Sequence, residues 1–208
     1  MRIPRFLALL TLATLILCAA SFADQILSLG PFTGADIGTT ATFSNGIGSV
    51  TVSGFSANST PTQIFSKNGG GDEDGLGVDG TGDGDKEISG TAFLQFTAAG
   101  INSAVIGSAQ TGEGYELVGS KANGVLGTTV LFSGTGGEQV SITGLLALTT
   151  AGGFTYVDLA VPVGNGGNIL LDSLDTPDAR VPEPGTTAMI MTLGLVGLFE
   201  VGRRKLMA

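Results

Sequence analysis

The stretch Phe154-Thr155-Tyr156-Val157-Asp158-Leu159-Ala160-Val161 decides the fold class. It is crowded with aromatic and β-branched side chains, which pack well on a pleated surface. Val157, Leu159 and Val161 recur at period two and share one face, the pattern of a strand with one side on a core. Glycines punctuate it at Gly152-Gly153 and again from Gly164 to Gly167. Working outward, the same signature returns in short runs at 48–55, 88–97, 103–109, 115–119, 127–132, 139–143 and 168–174, with glycine-rich breaks between them. No part of this body shows the sustained 3.6-residue periodicity of a long amphipathic helix. Many short strands with regular turn signals predict an all-β domain, an antiparallel β-sandwich or jelly roll.

Composition narrows the chemistry. The chain has 208 residues, with no His, no Trp and a single Cys, Cys18. Without His there is no imidazole base and no His-containing metal site, and one Cys makes no intrachain disulfide. Residues 24–180 form a body of single-domain size. They carry sixteen acidic side chains against Lys67, Lys86, Lys121 and Arg180, a net charge of −12. Such a surface repels phosphate, which excludes nucleic acid as a partner, and it favours solubility outside the cell.

Residues 68–87 interrupt the strand rhythm. Seven carboxylates between Asp72 and Glu87 face one cation, Lys86, on a glycine-rich backbone. Mutual repulsion predicts an extended, solvated acidic loop. Hard oxygen ligands on a pliant chain are also what Ca2+ selects, and Asp79, Asp83 and Asp85 are the residues to hold it. An EF-hand is excluded: Asp79, Thr81, Asp83 and Gly84 match the first half of that template, but Gly90 stands where the bidentate Glu belongs. Gly75-Leu76-Gly77-Val78-Asp79-Gly80 spells a dinucleotide fingerprint, but it has no βα context and its carboxylate neighbours would repel a pyrophosphate. Glu113, Glu116, Glu138 and Asp158 are the acids from which a glycosidase pair could be drawn.

The two ends read as membrane signals. Arg2 and Arg5 precede the apolar run Phe6 to Ala20, and Ser21-Phe22-Ala23 follows, the three parts of a secretory signal peptide. Residues 1–23 would be removed after Ala23, fifteen apolar residues being short against the ~20 of a span. Cys18 reads as a small hydrophobe of that run: Leu17 occupies the place where a lipid-modified Cys needs a small neighbour. At the other end Val181-Pro182-Glu183-Pro184 cannot be helical. A predicted transmembrane helix follows over about 186–202, and Arg203-Arg204-Lys205 would stop it at the cytoplasmic face. Both ends place the body on the outer side of the inner membrane.

That order of proline motif, apolar helix and basic trio resembles the PEP-CTERM sorting signal of exported bacterial proteins, over Val181 to Lys205. The resemblance implies recognition of Pro182-Glu183-Pro184 by an exosortase-type enzyme. It implies transit anchored in the inner membrane with a periplasmic body, then transfer to the cell surface or extracellular space in bacteria that make exopolysaccharide. Glu200 departs from the pattern, which continues apolar or small there. A looser resemblance covers Lys67 to Val78, Glu87-Ile88, Gln110 to Ser120 and Asn168 to Leu174, phrases like those recurring among proteins with such tails. It implies one shared β domain and no catalytic residue.

The expectation is a non-enzymatic surface or extracellular-matrix protein with a structural or adhesive role. Its partners would be signal peptidase, the secretion translocon, the sorting enzyme, the membrane and exopolysaccharide. Two other classes stand beside it: a Ca2+-dependent carbohydrate-binding module and a polysaccharide-acting hydrolase.

Overall fold

The computed structural model describes residues 25–45, 48–79, 84–162, 164 and 166–176. Among them thirteen strands follow one another: β1 (Gln25–Ser28), β2 (Ala35–Asp36), β3 (Thr40–Ser44), β4 (Ser49–Ser56), β5 (Pro61–Asn68), β6 (Asp74–Asp79), β7 (Ala92–Thr97), β8 (Ser103–Ala109), β9 (Gly114–Ser120), β10 (Thr129–Thr135), β11 (Glu138–Thr143), β12 (Tyr156–Ala160) and β13 (Leu170–Thr176). A 3-10 turn (Gly71–Glu73) precedes β6, and one helix, α1 (Leu145–Gly152), lies between β11 and β12. Every strand pairing is antiparallel. The predicted antiparallel β body is therefore observed.

The sheet runs β10-β9-β12-β7-β4-β5-β6-β13-β8-β11, with β1 on β13, β2 on β5 and β3 on β4. Its two ends, β10 and β11, are consecutive in sequence, so the sheet curls into a nearly closed, barrel-like form. Gly136, in the two-residue link between those ends, passes so close to the preceding turn that a Cβ there would meet the Gln110 carbonyl oxygen at 1.9 Å. Only glycine allows that approach.

The deciding stretch becomes β12, between β7 and β9. Val157 lies opposite Phe96 on one side and Gly119 on the other; Leu159 lies opposite Leu94 and Leu117. These inward residues join Val50, Val52, Ile64, Leu76, Ile106 and Leu171 in the main core. The alternate residues of the same strands face outward. There Phe55 stacks on Phe93 with ring centroids 5.3 Å apart, and Ala160 and Leu126 complete a second, smaller cluster.

Residues 68–87 are not one open acidic loop. Asp74–Asp79 is β6, paired with β5 along its whole length and with β13 at Leu76. Leu76 and Val78 are fully buried, and burying them outweighs the repulsion between the flanking carboxylates, which sit at the strand's ends. The dinucleotide-like phrase is thus the interior of a strand. Helix α1 was not expected either. Its eight residues are too few to show a period, and left-handed glycines bound it, Gly144 at φ 85° and Gly153 at φ 62°.

The signal segment with its cut after Ala23, the motif Val181, Pro182, Glu183, Pro184, the predicted helix over about 186–202 and the trio Arg203, Arg204, Lys205 lie outside the described residues. Among the described residues no helix is long and apolar enough to cross a membrane.

Candidate functional site

Four side chains from four separate segments meet at the β5–β6–β8 side of the sheet. Lys67 comes from the end of β5, Glu73 from the 3-10 turn, Glu87 from the segment after β6, and Ser108 from β8. Lys67 Nζ donates to Glu73 Oε2 and to Glu87 Oε1. Ser108 Oγ lies 3.0 Å from Glu73 Oε1 and 3.2 Å from Glu87 Oε1, and donates to these carboxyls. Glu87 and Ser108 are almost completely buried, while Lys67 and Glu73 keep a partly exposed rim.

Local backbone features aim these groups. Ser108 has φ 56°, a left-handed conformation that costs a non-glycine residue energy and needs support from its surroundings. Pairing with β11 is irregular at this point: Glu138 lies opposite Ala109 and Val140 opposite Ile106, so Gly107 and Ser108 bulge from the ladder. Such bulges re-aim a side chain, here towards the two carboxyls. Glu87 is fixed by an antiparallel bridge between Ile88 and Ile169, with N–H to oxygen distances of 2.8 and 3.1 Å. Gly77 lets the 86–87 backbone lie directly on β6, since a Cβ there would meet the Lys86 oxygen at 2.1 Å and the Glu87 Cα at 2.9 Å.

The electrostatics set the two carboxyls apart. Burial pushes Glu87 up, and the Glu73 charge adds to the rise against the opposing Lys67 contact. Glu73 is pushed down, chiefly by the hydrogen bond from Lys67. For Lys67, burial alone would lower the pKa, but bonds and charges from both carboxyls outweigh it and raise it. The result is an ammonium between a carboxyl biased towards its neutral form and one biased towards its anion.

A second buried polar network holds the cover over the outer cluster. Asp158, fully buried on β12, accepts from Gln95 Nε2 at 2.8 Å and from the Gly127 N–H at 2.7 Å. Gln95 in turn donates to the Ala122 oxygen and accepts from the Gly124 N–H. The link between β9 and β10 is thereby tied down over Phe55 and Phe93. Desolvation raises the Asp158 pKa from 3.8 to about 6, against the opposing hydrogen bonds from Gly127 and Gln95. A folded pKa above the unfolded one means that stability is fully present below 3.8 and lost as pH rises through about 6. The change amounts to about 3 kcal/mol across that window. Urea unfolding across that range checks it: the margin of wild type over Asp158→Asn is expected to be widest at the acid end and to narrow as Asp158 ionises.

Two of the three residues proposed for Ca2+ have partners in the fold. Asp79 pairs with Lys86 at 3.0 Å, and Asp85 accepts from Asn168 Nδ2 at 3.3 Å. Asp83 lies outside the described residues. Among the described residues no group of three or more His, Cys, Asp or Glu side chains could hold a metal ion. Of the acids offered for a glycosidase pair, Asp158 is enclosed as above. Glu113 closes its own turn by accepting from the Gln110 N–H at 2.8 Å.

No sequence pattern marks the four-residue cluster, because its members have no common spacing. The one signal is that Lys67 and Glu87 begin two of the four recurring phrases, while Ser108 stands two residues before a third. The structure brings these phrases together, with Ile169 of the fourth bridging Ile88. No family model, curated protein or solved structure matches the chain.

Proposed function

We propose that the chain is a non-enzymatic exported protein of the cell surface or extracellular matrix, with a structural or adhesive role linked to exopolysaccharide. In this reading residues 1–23 are its export signal, and the PEP-CTERM-like segment 181–208 hands it to an exosortase-type enzyme. The barrel-like sheet is read as a sandwich that folds over at the β4–β5 corner. The observation that carries a structural role is the use made of the body's buried polar groups. Glu87, Ser108, Asp158 and Gln95 are enclosed and engaged with one another or with backbone, in arrangements that tie segments together and leave no open face for a substrate at those atoms.

Cell fractionation with C-terminal mass analysis tests the reading. The wild-type chain is expected outside the inner membrane with its C-terminus cut near Pro182-Glu183-Pro184. Replacing those three residues with Ala should leave an uncut chain in the membrane fraction. A full-length wild-type chain in the cytosol, with both apolar ends intact, would contradict the proposal.

A further inference from the structure

We propose that Lys67 and Glu87 become joined by an intramolecular amide bond, formed without an external enzyme as the domain folds and assisted by Glu73. The geometry supplies each participant. Lys67 Nζ touches Glu87 Oε1, one bond from the carbonyl carbon it would attack, and the same Nζ touches Glu73 Oε2. Ser108 Oγ is 3.2 Å from Glu87 Oε1 and polarises that oxygen. Strand pairing and the Ile88–Ile169 bridge hold these groups in place, and orientation of this kind is worth effective molarities of about 10^5–10^8 M. The Glu87 side chain is only 5% exposed, so the water that would reverse the reaction is largely excluded.

Burial favours the neutral acid of Glu87, the form a nucleophile can attack. Lys67 is held as the ammonium and Glu73 as the anion, so freeing the nitrogen lone pair is the uphill part of the step, and it is the direct Lys67–Glu73 contact that makes the transfer available. Glu73 takes one proton from the Lys67 ammonium and frees the nitrogen lone pair. Nζ attacks Glu87 Cδ, and the C–O bond to the acid's hydroxyl breaks. A second ammonium proton leaves with that hydroxyl as water, and the first stays on Glu73. Nothing is oxidised or reduced, and charge is conserved. In the product the amide N–H faces Glu73 and the amide oxygen faces Ser108, so no buried polar atom is orphaned. The bond would close the loop between residues 20 apart in a chain whose only cysteine is Cys18, where no disulfide can do so. It does not depend on where the protein is sent.

Tryptic mass mapping of the folded full-length chain decides the matter. With the amide in place, the cut after Lys67 is lost. The segment ending at Lys86 then stays attached to residues 87–121 as one branched species, lighter by one water than its parts. Glu87→Ala should restore the cut after Lys67 and release 87–121 as a linear peptide. Glu73→Gln keeps both bonding side chains and should slow formation at least tenfold in a time course from refolding. A normal cut after Lys67 together with a free 87–121 peptide from folded wild-type protein would overturn the proposal. Formation in Glu73→Gln at the wild-type rate would remove Glu73 from it.

Discussion

Lys67→Met is expected to lower the free energy of unfolding by at least about 3–5 kcal/mol, the cost of leaving a buried carboxylate without its cation. Methionine retains most of the methylene stem, so little of the loss comes from packing. Glu87 keeps the Ser108 hydrogen bond but then faces Glu73 with no positive charge between them. The variant relieves this by protonating Glu87, which raises that pKa still further above its unfolded value. The deficit should therefore be smallest at acid pH, where only the loss of the proposed amide tie remains, and grow as pH rises through the folded pKa, a trend that denaturant titrations at several pH values would register. Lys67→Met combined with Glu87→Leu removes the orphaned charge and should recover much of the loss. What it does not recover belongs to the amide tie, about 3 kcal/mol for a loop of this size on chain-entropy grounds. Wild-type stability in the single variant would show that the cluster holds nothing together.

Legibility in the sequence followed the range of the interactions. Where one strand buries one face, alternation is local and readable: β8 coincides with the predicted run 103–109, and β12, β9 and β13 lie within two residues of theirs. Where burial depends on partners far along the chain, local chemistry misleads. Asp74, Gly75, Gly77 and Asp79 look like solvated loop, yet they flank Leu76 and Val78 in a strand enclosed by β5 and β13, and only that enclosure makes it a strand. Strand order was illegible for the same reason, since β12 enters between β7 and β9 after both have been made. The candidate site is the extreme case. Lys67 and Glu87 could be marked as the starts of recurring phrases, but no spacing rule brings together a strand end, a short turn, a post-strand segment and a bulge spread over positions 67 to 108. A serine at φ 56° has no sequence signature at all.

Phe96→Ala tests the other half of the argument, that the sheet rather than the polar cluster carries the fold. Phe96 is fully buried on β7, opposite Val52 of β4 and Val157 of β12, so its ring fills the space between the two faces of the curled sheet. Truncation removes the transfer energy of the ring and leaves a cavity that antiparallel neighbours on both sides cannot close, an expected loss of about 3–5 kcal/mol. Phe93 provides the internal control. It lies three residues away on the same strand, so it points to the opposite face, where it stacks on Phe55 beneath the link held by Asp158 and Gln95. Phe93→Ala should free that link, seen as faster amide hydrogen exchange at Gly124 and Gly127, at a smaller global cost because the main core stays filled. Equal global losses in the two variants would mean that the outer cluster is as integral to folding as the interior. The link would then be part of the core's support rather than a cover tied onto it.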